Sequence, residues 1–373
     1  MSVLSREFWF LSKDRAAQVW LLIAFAAASF AVVFGLGEVS SQRDTIERLK
    51  TADTIERNLA IEEYRNWGSA AYYTFHLTYD EPSEFTFAAL GQRDTAPWKH
   101  RVRMLALEGQ IYETDAPNPD FALIGRFDYA FVIAVLSPLF LILLLHDLRA
   151  GERANGRYEL LEATDEGLWK SRAALRVGAL SLVLLLPIWG AGGLSGASGL
   201  QLLIASAAVL LHLIFWWAII AWTNARGWTA PVNLTTLFGV WLALAIVAPA
   251  GIKLAVDSAI SVPDGGEIVL TQREAVNDAW DLPASETMEP FLERHPEWAD
   301  YSELENTFEW KWYYAFQQVG DQTAEPLSVA YSDGRTRRDE LSAVLSWLSP
   351  PAKVERMFQS IAKTDTKAAA DYE

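Results

Sequence analysis

Residues 129–145 read YAFVIAVLSPLFLILLL, and residues 146–164, HDLRAGERANGRYELLEAT, follow without a break. The first stretch has no charge in seventeen residues, whereas the second carries seven charged side chains and a histidine in nineteen. An apolar run of this length is typical of a segment inside lipid, and a sudden change to charged residues is typical of the point where a chain leaves it. The pair therefore indicates a membrane protein and raises the question of what the polar segment does.

Five runs of the chain are apolar enough to be membrane spans. About 20 such residues cross the ~30 Å hydrocarbon core, and the two shorter runs gain length from aromatic or aliphatic flanks. Trp169 and Trp189 bracket the third run at about one bilayer thickness, which is typical of interfacial tryptophans. The first run is longer than a signal-peptide core and no convincing cleavage site follows it, so it is predicted to remain as an anchor. The predicted spans are 17–37, 129–145, 177–193, 200–222 and 232–252.

These lengths favour an α-helical polytopic membrane protein over a soluble protein with five buried helices, because helices that are apolar all round are rare outside lipid. The orientation follows from the short-loop Lys and Arg residues, which mark the cytoplasmic side. They lie before the first span, between the second and third, and between the fourth and fifth, and the connection 190–199 has none. The N-terminus is therefore predicted to be cytoplasmic.

This orientation divides the rest of the chain. Residues 1–16 and 146–176 become cytoplasmic, and residues 38–128 and 253–373 become two large extracytoplasmic domains of α or α+β type. The helical spacing of apolar residues in 38–66 predicts that the first span continues as a helix beyond the membrane. Alternation in YYTFHLTY (72–79) and EFTFAAL (84–90) predicts short strands.

The composition excludes several classes of function. The net charge is −16, of which residues 257–373 supply −13 through 23 acidic and 10 basic side chains, so nothing suggests nucleic-acid binding. There is no cysteine, and the five histidines are isolated, so we expect neither thiolate chemistry nor a metal site. Gly193-Leu194-Ser195-Gly196 resembles a serine-protease pattern, but His212 lies over half a span deeper, and a glycine-rich turn is the favoured interpretation. No catalytic residue is predicted.

The polar segment 146–164 has helical periodicity. An apolar stripe can be drawn through Leu148, Tyr158, Leu160 and Leu161, with charged residues on the other side, and Gly156 permits a bend. This pattern predicts a short amphipathic helix against the membrane; the alternative is a solvated loop that only joins two spans.

The order of an apolar span, GERANGRYELLEAT, and a second span resembles the segment E-R-x-x-G-x-x-x-L-L in permeases of the ABC type-2 class. The residues that match are Glu152, Arg153, Gly156, Leu160 and Leu161, while Arg157 stands where the family often has Thr. The opening SREFWFLSKDR (5–15) resembles the interfacial helix before the first span of these permeases, with Leu4, Phe8 and Leu11 toward lipid. WYYAFQQVGD (312–321) and LSWLSPPAKVERMF (345–358) resemble the branch with two large extracytoplasmic inserts, one of which is a domain of unknown function.

The resemblance implies a permease subunit of an ABC transporter in the bacterial cytoplasmic (inner) membrane. Segment 146–164 would be the coupling helix that docks on a partner ATPase, and ATP and Mg would bind to that partner, since this chain has no P-loop and needs no cofactor. A second permease subunit, identical or different, would complete a dimer, and extracytoplasmic proteins are a further class of partner. The family has six spans, so a sixth is expected after Glu373. The rival hypothesis is a membrane-anchored interaction or sensor protein that acts through its extracytoplasmic domains.

Overall fold

The computed structural model describes residues 3–112, 127–164 and 168–372, and these residues are mostly helical. Helix α5 runs from Tyr129–Phe131 through a π-helical turn, Val132–Leu136, to Ser137–Leu145. The other helices are α1 (Val3–Leu11), α2 (Arg15–Glu63), α3 (Trp67–Tyr73), α4 (Leu107–Tyr112), α6 (Ala150–Ala154), α7 (Tyr158–Thr164), α8 (Leu168–Ser195), α9 (Gly199–Ala225), α10 (Ala230–Ala259), α11 (Gly265–Asp281), α12 (Ala284–Arg294), α13 (Trp310–Leu345), α14 (Pro350–Ala362) and α15 (Thr366–Tyr372). Two strands, β1 (His76–Tyr79) and β2 (Lys99–Val102), pair antiparallel.

Five helices, α2, α5, α8, α9 and α10, are long and apolar enough to cross a membrane, which confirms the prediction of a helical membrane protein with five spans. Helix α2 packs along α8 with small residues at the contact, and Ala24, Ala28 and Ala31 are fully buried there. Small residues let two backbones approach closely where lipid provides no hydrophobic force between helices. The core of the molecule lies within this bundle.

Helix α2 is one continuous helix of 49 residues, about 73 Å long at 1.5 Å per residue. The hydrocarbon core is only ~30 Å thick, so the part after the apolar run projects beyond the bundle. The predicted helical continuation of the first span is therefore confirmed as far as Glu63. Asp14 begins the helix by accepting a hydrogen bond from the Ala17 amide.

Both large regions lie beyond the same end of the bundle, which we call the insert end. The first contains the β1–β2 hairpin, in which His76 pairs with Val102. The second is helical, with α11, α12 and α13 packed around Met288, Trp312 and Phe316. Helix α4 of the first region packs on α11 of the second.

The strand predicted for residues 84–90 is wrong. Phe85–Leu90 form a 3-10 turn and adjoining chain in which every side chain is buried, whereas a strand at a surface would bury only every second one. The turn packs against α2 at Gly35, where an added Cβ would lie 2.0 Å from the Phe87 carbonyl oxygen. Asp128 holds the end of the turn by accepting a hydrogen bond from the Leu90 amide at 3.0 Å. The prediction for 72–79 is right only for its second half, since Tyr72 and Tyr73 belong to α3.

Helix α14 closes the insert end of the bundle. Val354, Phe358 and Ala362 belong to the same hydrophobic core as the spans, and Ser349 Oγ before the helix donates to the Leu244 carbonyl in the π-helical turn of α10 at 2.7 Å. The other end of α14 is held by the first region, because Ser83 Oγ donates to the Ala362 carbonyl at 2.6 Å. Helix α14 lies among the ends of α5, α9 and α10.

Candidate functional site

Segment 146–164 lies at the end of the bundle opposite the inserts and forms two helices, α6 and α7, instead of the single amphipathic helix that the periodicity predicts. The break is a helix C-terminus built around Gly156, whose φ of +67° is the left-handed conformation that glycine favours. The Gly156 amide donates to the Arg153 carbonyl and the Arg157 amide to the Glu152 carbonyl, at 3.0 and 2.9 Å. This pair of bonds is the Schellman motif, which satisfies carbonyls that the helix end leaves without partners. Gly156 therefore ends α6.

A network of buried charges joins this segment to the N-terminal helix. Arg172, in the first turns of α8, donates from Nε to Glu7 Oε2 at 2.7 Å and from Nη1 to Glu152 Oε1 at 3.1 Å. The Glu7 side chain is only 1% exposed, and those of Arg172 and Glu152 are 14% and 18% exposed. Arg157 completes the set by donating to Glu152 Oε2 at 2.9 Å. Arg172 thus bridges α1 and α6, two elements that are 145 residues apart in the chain.

One turn further along α8, Arg176 makes a second bridge. Its Nη2 donates to Asp14 Oδ2 at 2.8 Å, and its Nη1 donates to the Leu144 carbonyl at 2.7 Å. Asp14 is the N-cap of α2, and Leu144 belongs to the last turn of α5. A guanidinium presents five donors in a rigid plane, so one arginine can hold both groups together. Arg176 therefore ties the first three spans together at this end.

The last carbonyls of α5 are held by side chains from all three later spans. Besides the bond from Arg176, Asn224 of α9 donates to the Leu145 carbonyl at 3.0 Å, and Asn233 of α10 donates to the His146 carbonyl at 3.1 Å. The two asparagines also contact each other, Asn233 Nδ2 to Asn224 Oδ1, at 3.2 Å. A helix end inside a bundle leaves carbonyls that must be satisfied by such partners. The point where segment 146–164 begins is consequently bonded to α8, α9 and α10.

An aromatic stack attaches α7 to α8. Tyr158 lies nearly parallel to Trp169, with ring centroids 5.4 Å apart. The Arg153 guanidinium lies over the Tyr158 ring, 4.3 Å from its centroid. Trp169 is buried and its face is covered by Tyr158, whereas Trp189 is exposed and donates to Ser206 Oγ. The interfacial position of the two tryptophans stays a prediction.

The predicted site residues divide into two groups. Glu152, Arg153 and Gly156 are held inside the segment by the contacts above. Leu160 is 71% exposed and Leu161 is half-buried, so the two leucines lie on the surface of α7.

In the N-terminal helix α1, Phe8 is exposed and Leu11 packs against the core of the bundle. The side chain of Leu4 lies outside the described residues. The exposed face of α1 also carries Trp9 and Phe10, which the sequence interpretation did not include.

Sequence reasoning missed the residues that hold the segment in place. Arg172 and Arg176 belong to the short-loop basic residues that indicate only the membrane orientation, and no pattern in the sequence distinguishes Glu7, Asn224 or Asn233. One signal was available: Arg172 and Arg176 are four residues apart, so they lie on the same helix face. Partners distant in sequence cannot be recognised from such spacing alone.

A second feature lies at the insert end, where a cleft of about 940 Å³ opens between the two large regions. Its wall includes His76, Arg103 and Glu108 from the first region and His295 and Asp321 from the second. Burial, followed by the nearby Glu108 carboxylate, raises the pKa of Asp321 to about 6, although the Leu107 amide donates to its Oδ2 at 2.9 Å. The cleft therefore holds a carboxyl group that titrates near neutral pH.

Residues 266–373 match the family DUF3526, which is described as a domain of unknown function. The matched part begins in α11 and includes α12 to α15. No curated protein and no solved structure matches the chain significantly.

Proposed function

We propose that this chain is the permease subunit of an ABC transporter of the type-2 class, with segment 146–164 as the element that contacts a partner ATPase. The observation that carries the proposal is the attachment of this segment to every span through Arg172, Arg176 and the last carbonyls of α5. A push on α6 or α7 would reach all five helices, because the contacts are directional hydrogen bonds and those of the two arginines are charged. The energy comes from ATP and Mg on the partner, so this chain is not itself an enzyme.

Segment 146–164 has an exposed apolar face for docking, in addition to its attachment to the spans. Leu160 is exposed on α7, while Glu152 of α6 is largely buried and paired with Arg172, so α7 presents an apolar side chain on the surface. The proposal places this face and the N-terminus in the cytoplasm of a bacterial cell, with both large regions outside the inner membrane. Two permease subunits, identical or different, would act with two ATPase subunits to export a substrate or to transmit force to extracytoplasmic partners.

The test is purification of the tagged chain from its own host. A stoichiometric nucleotide-binding subunit is expected to co-purify with the wild type and to be lost from Leu160→Asp, because a carboxylate cannot be buried unpaired in an apolar contact. Leu59→Asp is the matched control, since Leu59 is 57% exposed near the far end of α2. Retention of the ATPase by both variants would show that α7 is not part of the docking surface.

The second candidate, a membrane-anchored interaction or sensor protein, is favoured by the cleft of about 940 Å³ between the two large regions. A cleft of this size is typical of a binding site for a small ligand or a peptide segment. The same purification separates the candidates: consistent absence of an ATPase from the wild-type preparation would contradict the permease proposal and leave the sensor hypothesis.

A further inference from the structure

A second, smaller cleft of about 360 Å³ lies at the insert end of α10, between that helix, α13 and α14. Its wall carries four basic side chains, Lys253, Arg335, Arg338 and Arg356, and two carboxylates, Asp257 and Asp339. Four positive and two negative charges leave the wall with two net positive charges. Residues 257–373, which supply most of this wall, have a net charge of −13, so the basic character of the cleft is opposite to that of its surroundings.

The basic groups are held in place by the fold. Arg338 donates from Nε and Nη2 to the Ile260 carbonyl at 3.0 and 2.8 Å, and Arg356 lies 2.9 Å from Asp339 Oδ1. Lys253 pairs with Asp257 but is 79% exposed. Arg338 also lies 3.4 Å from Asp257 Oδ1. These contacts orient Lys253, Arg338 and Arg356, and the wall has two more basic than acidic side chains, so the cleft presents a preorganised positive surface.

The cleft lies at the level where α10 leaves the hydrocarbon. The apolar run 232–252 has 21 residues, which is about 31 Å of helix and matches the ~30 Å core, and Lys253 is the first charge after it. Pro249 and Ile252 form part of the wall of the cleft, below Lys253. The basic groups therefore lie where lipid headgroups lie, and the apolar wall lies where acyl chains begin.

The turn between α13 and α14 opens this cleft toward lipid. Ser349 Oγ bonds to the Leu244 carbonyl, which is eight residues, or about 12 Å of helix, below Ile252. The turn Ser346–Leu348 is thus beside the apolar part of α10, and its Trp347 and Leu348 are 72% and 65% exposed. Large exposed apolar side chains at this depth face the bilayer, and Ser346 also forms part of the cleft wall.

We propose that this cleft binds a phosphate-bearing anion, and that its source is the headgroup of an anionic phospholipid in the leaflet on the insert side. The phosphate would accept hydrogen bonds from Arg335 and Arg356 and lie near Lys253, because guanidinium groups bind phosphate in a planar, two-bond geometry. The acyl chains would follow Ile252 and the exposed side chains of the turn. The proposal needs only the membrane position of α10, so it is independent of any ATPase.

The experiment uses the full chain in nanodiscs of phosphatidylcholine that contain a small fraction of phosphatidylglycerol, and native mass spectrometry counts the anionic lipid retained after release into detergent. The wild type is expected to retain phosphatidylglycerol, and Lys253→Gln with Arg335→Gln should weaken retention about 30-fold, since each basic residue near a membrane surface contributes about fivefold. The matched control is Lys311→Gln with Arg337→Gln, which removes the same charge outside the cleft wall.

Competition with inorganic phosphate distinguishes the two possible sources of the anion, a lipid headgroup and free phosphate. Displacement of the retained lipid by millimolar phosphate would show that the cleft takes the phosphate alone, and retention against phosphate would show that it takes the whole lipid. Equal retention by the wild type and the cleft variant, or equal loss in the control, would overturn the proposal. If the double variant fails to fold, Lys253→Glu alone replaces it, because that side chain is largely exposed and its reversal should lower retention in the same way.

Discussion

At the scale of single residues, we expect the ion pairs of Arg172 to contribute most to the stability of segment 146–164. Removing an exposed ion-pair partner costs ~0–1 kcal/mol, whereas removing one partner of a buried pair costs about 3–5 kcal/mol, because a charge remains buried without compensation. The two cases are both present here, since Arg172 faces the buried Glu7 while Arg157 is 62% exposed. The difference predicts which substitution matters.

We expect Arg172→Ala to destabilise the protein by about 3 kcal/mol or more, because Glu7 would stay buried and lose its shorter ion pair, and Arg6 Nε lies 3.4 Å from it. Arg157→Ala, the matched control on the same glutamate, should cost about 1 kcal/mol or less. Thermal unfolding of the purified protein in detergent measures both. Equal effects of the two substitutions would contradict the central position of Arg172.

The carboxyl of Asp321 gives a prediction with a defined pH window. Burial raises its pKa from 3.8 to about 6, so the folded protein holds a proton that the unfolded chain has already lost, and stability falls as the pH rises through this interval. Asp321→Asn should therefore raise the free energy of unfolding at pH 7.5 by an amount on the order of 1 kcal/mol after allowance for solvent screening, which a higher melting temperature would show, and should have little effect at pH 4. Asp333→Asn, at an exposed position on the same helix, is the control and should change neither value. A gain that is equal at both pH values would exclude Asp321 as its source.

At the scale of elements, two glycines of α2 allow the effect of close packing on stability to be compared with the effect of helix propensity. An alanine at Gly35 would place its Cβ 2.0 Å from the Phe87 carbonyl oxygen, whereas nothing lies within 4 Å of a Cβ at Gly37. Gly35→Ala must therefore push the buried turn Phe85–Leu90 away from α2, and we expect a loss of stability of roughly 1–3 kcal/mol. Gly37→Ala should be neutral or stabilising, by up to about 1 kcal/mol, because alanine favours the helix. Thermal unfolding tests the pair, and a stable Gly35→Ala variant would contradict the close contact.

The elements also show how far the sequence could predict the fold. The five long helices and the continuation of α2 follow from apolar runs and helical spacing, which are local signals. The turn Phe85–Leu90 was predicted as a strand because alternation assumes one buried face, and here α2, Asp128 and α14 bury both. The site was predicted in part: the segment is where the pattern indicated, but its attachment depends on Arg172 and Asn224, whose partners are far away in sequence.

At the scale of the whole molecule, the two ends of the bundle differ in kind. One end is closed by short polar contacts between spans, and the other carries two large regions that are bonded to each other through residues 364–372. Tyr372 OH lies 3.2 Å from His100 Nδ1, and the Gln92 amide donates to the Thr364 carbonyl at 2.7 Å, so the last helices rest on the first region. The two regions are therefore bonded to each other through the last helices.

The proposed membrane orientation is the last prediction, and it concerns this asymmetry directly. Lys and Arg in the short loops predict that α6 lies on the cytoplasmic side, so Glu62→Cys and Glu340→Cys should react with a membrane-impermeant maleimide in intact cells, and Ala154→Cys should react only after permeabilisation. All three positions are exposed, and the chain has no cysteine of its own, so each label reports one position without background. Labelling of Glu62→Cys together with protection of Glu340→Cys would contradict the placement of both regions on one side, since helix α4 packs on α11 in the same body. Labelling of Ala154→Cys in intact cells would reverse the orientation, and with it the access of segment 146–164 to any cytoplasmic ATPase.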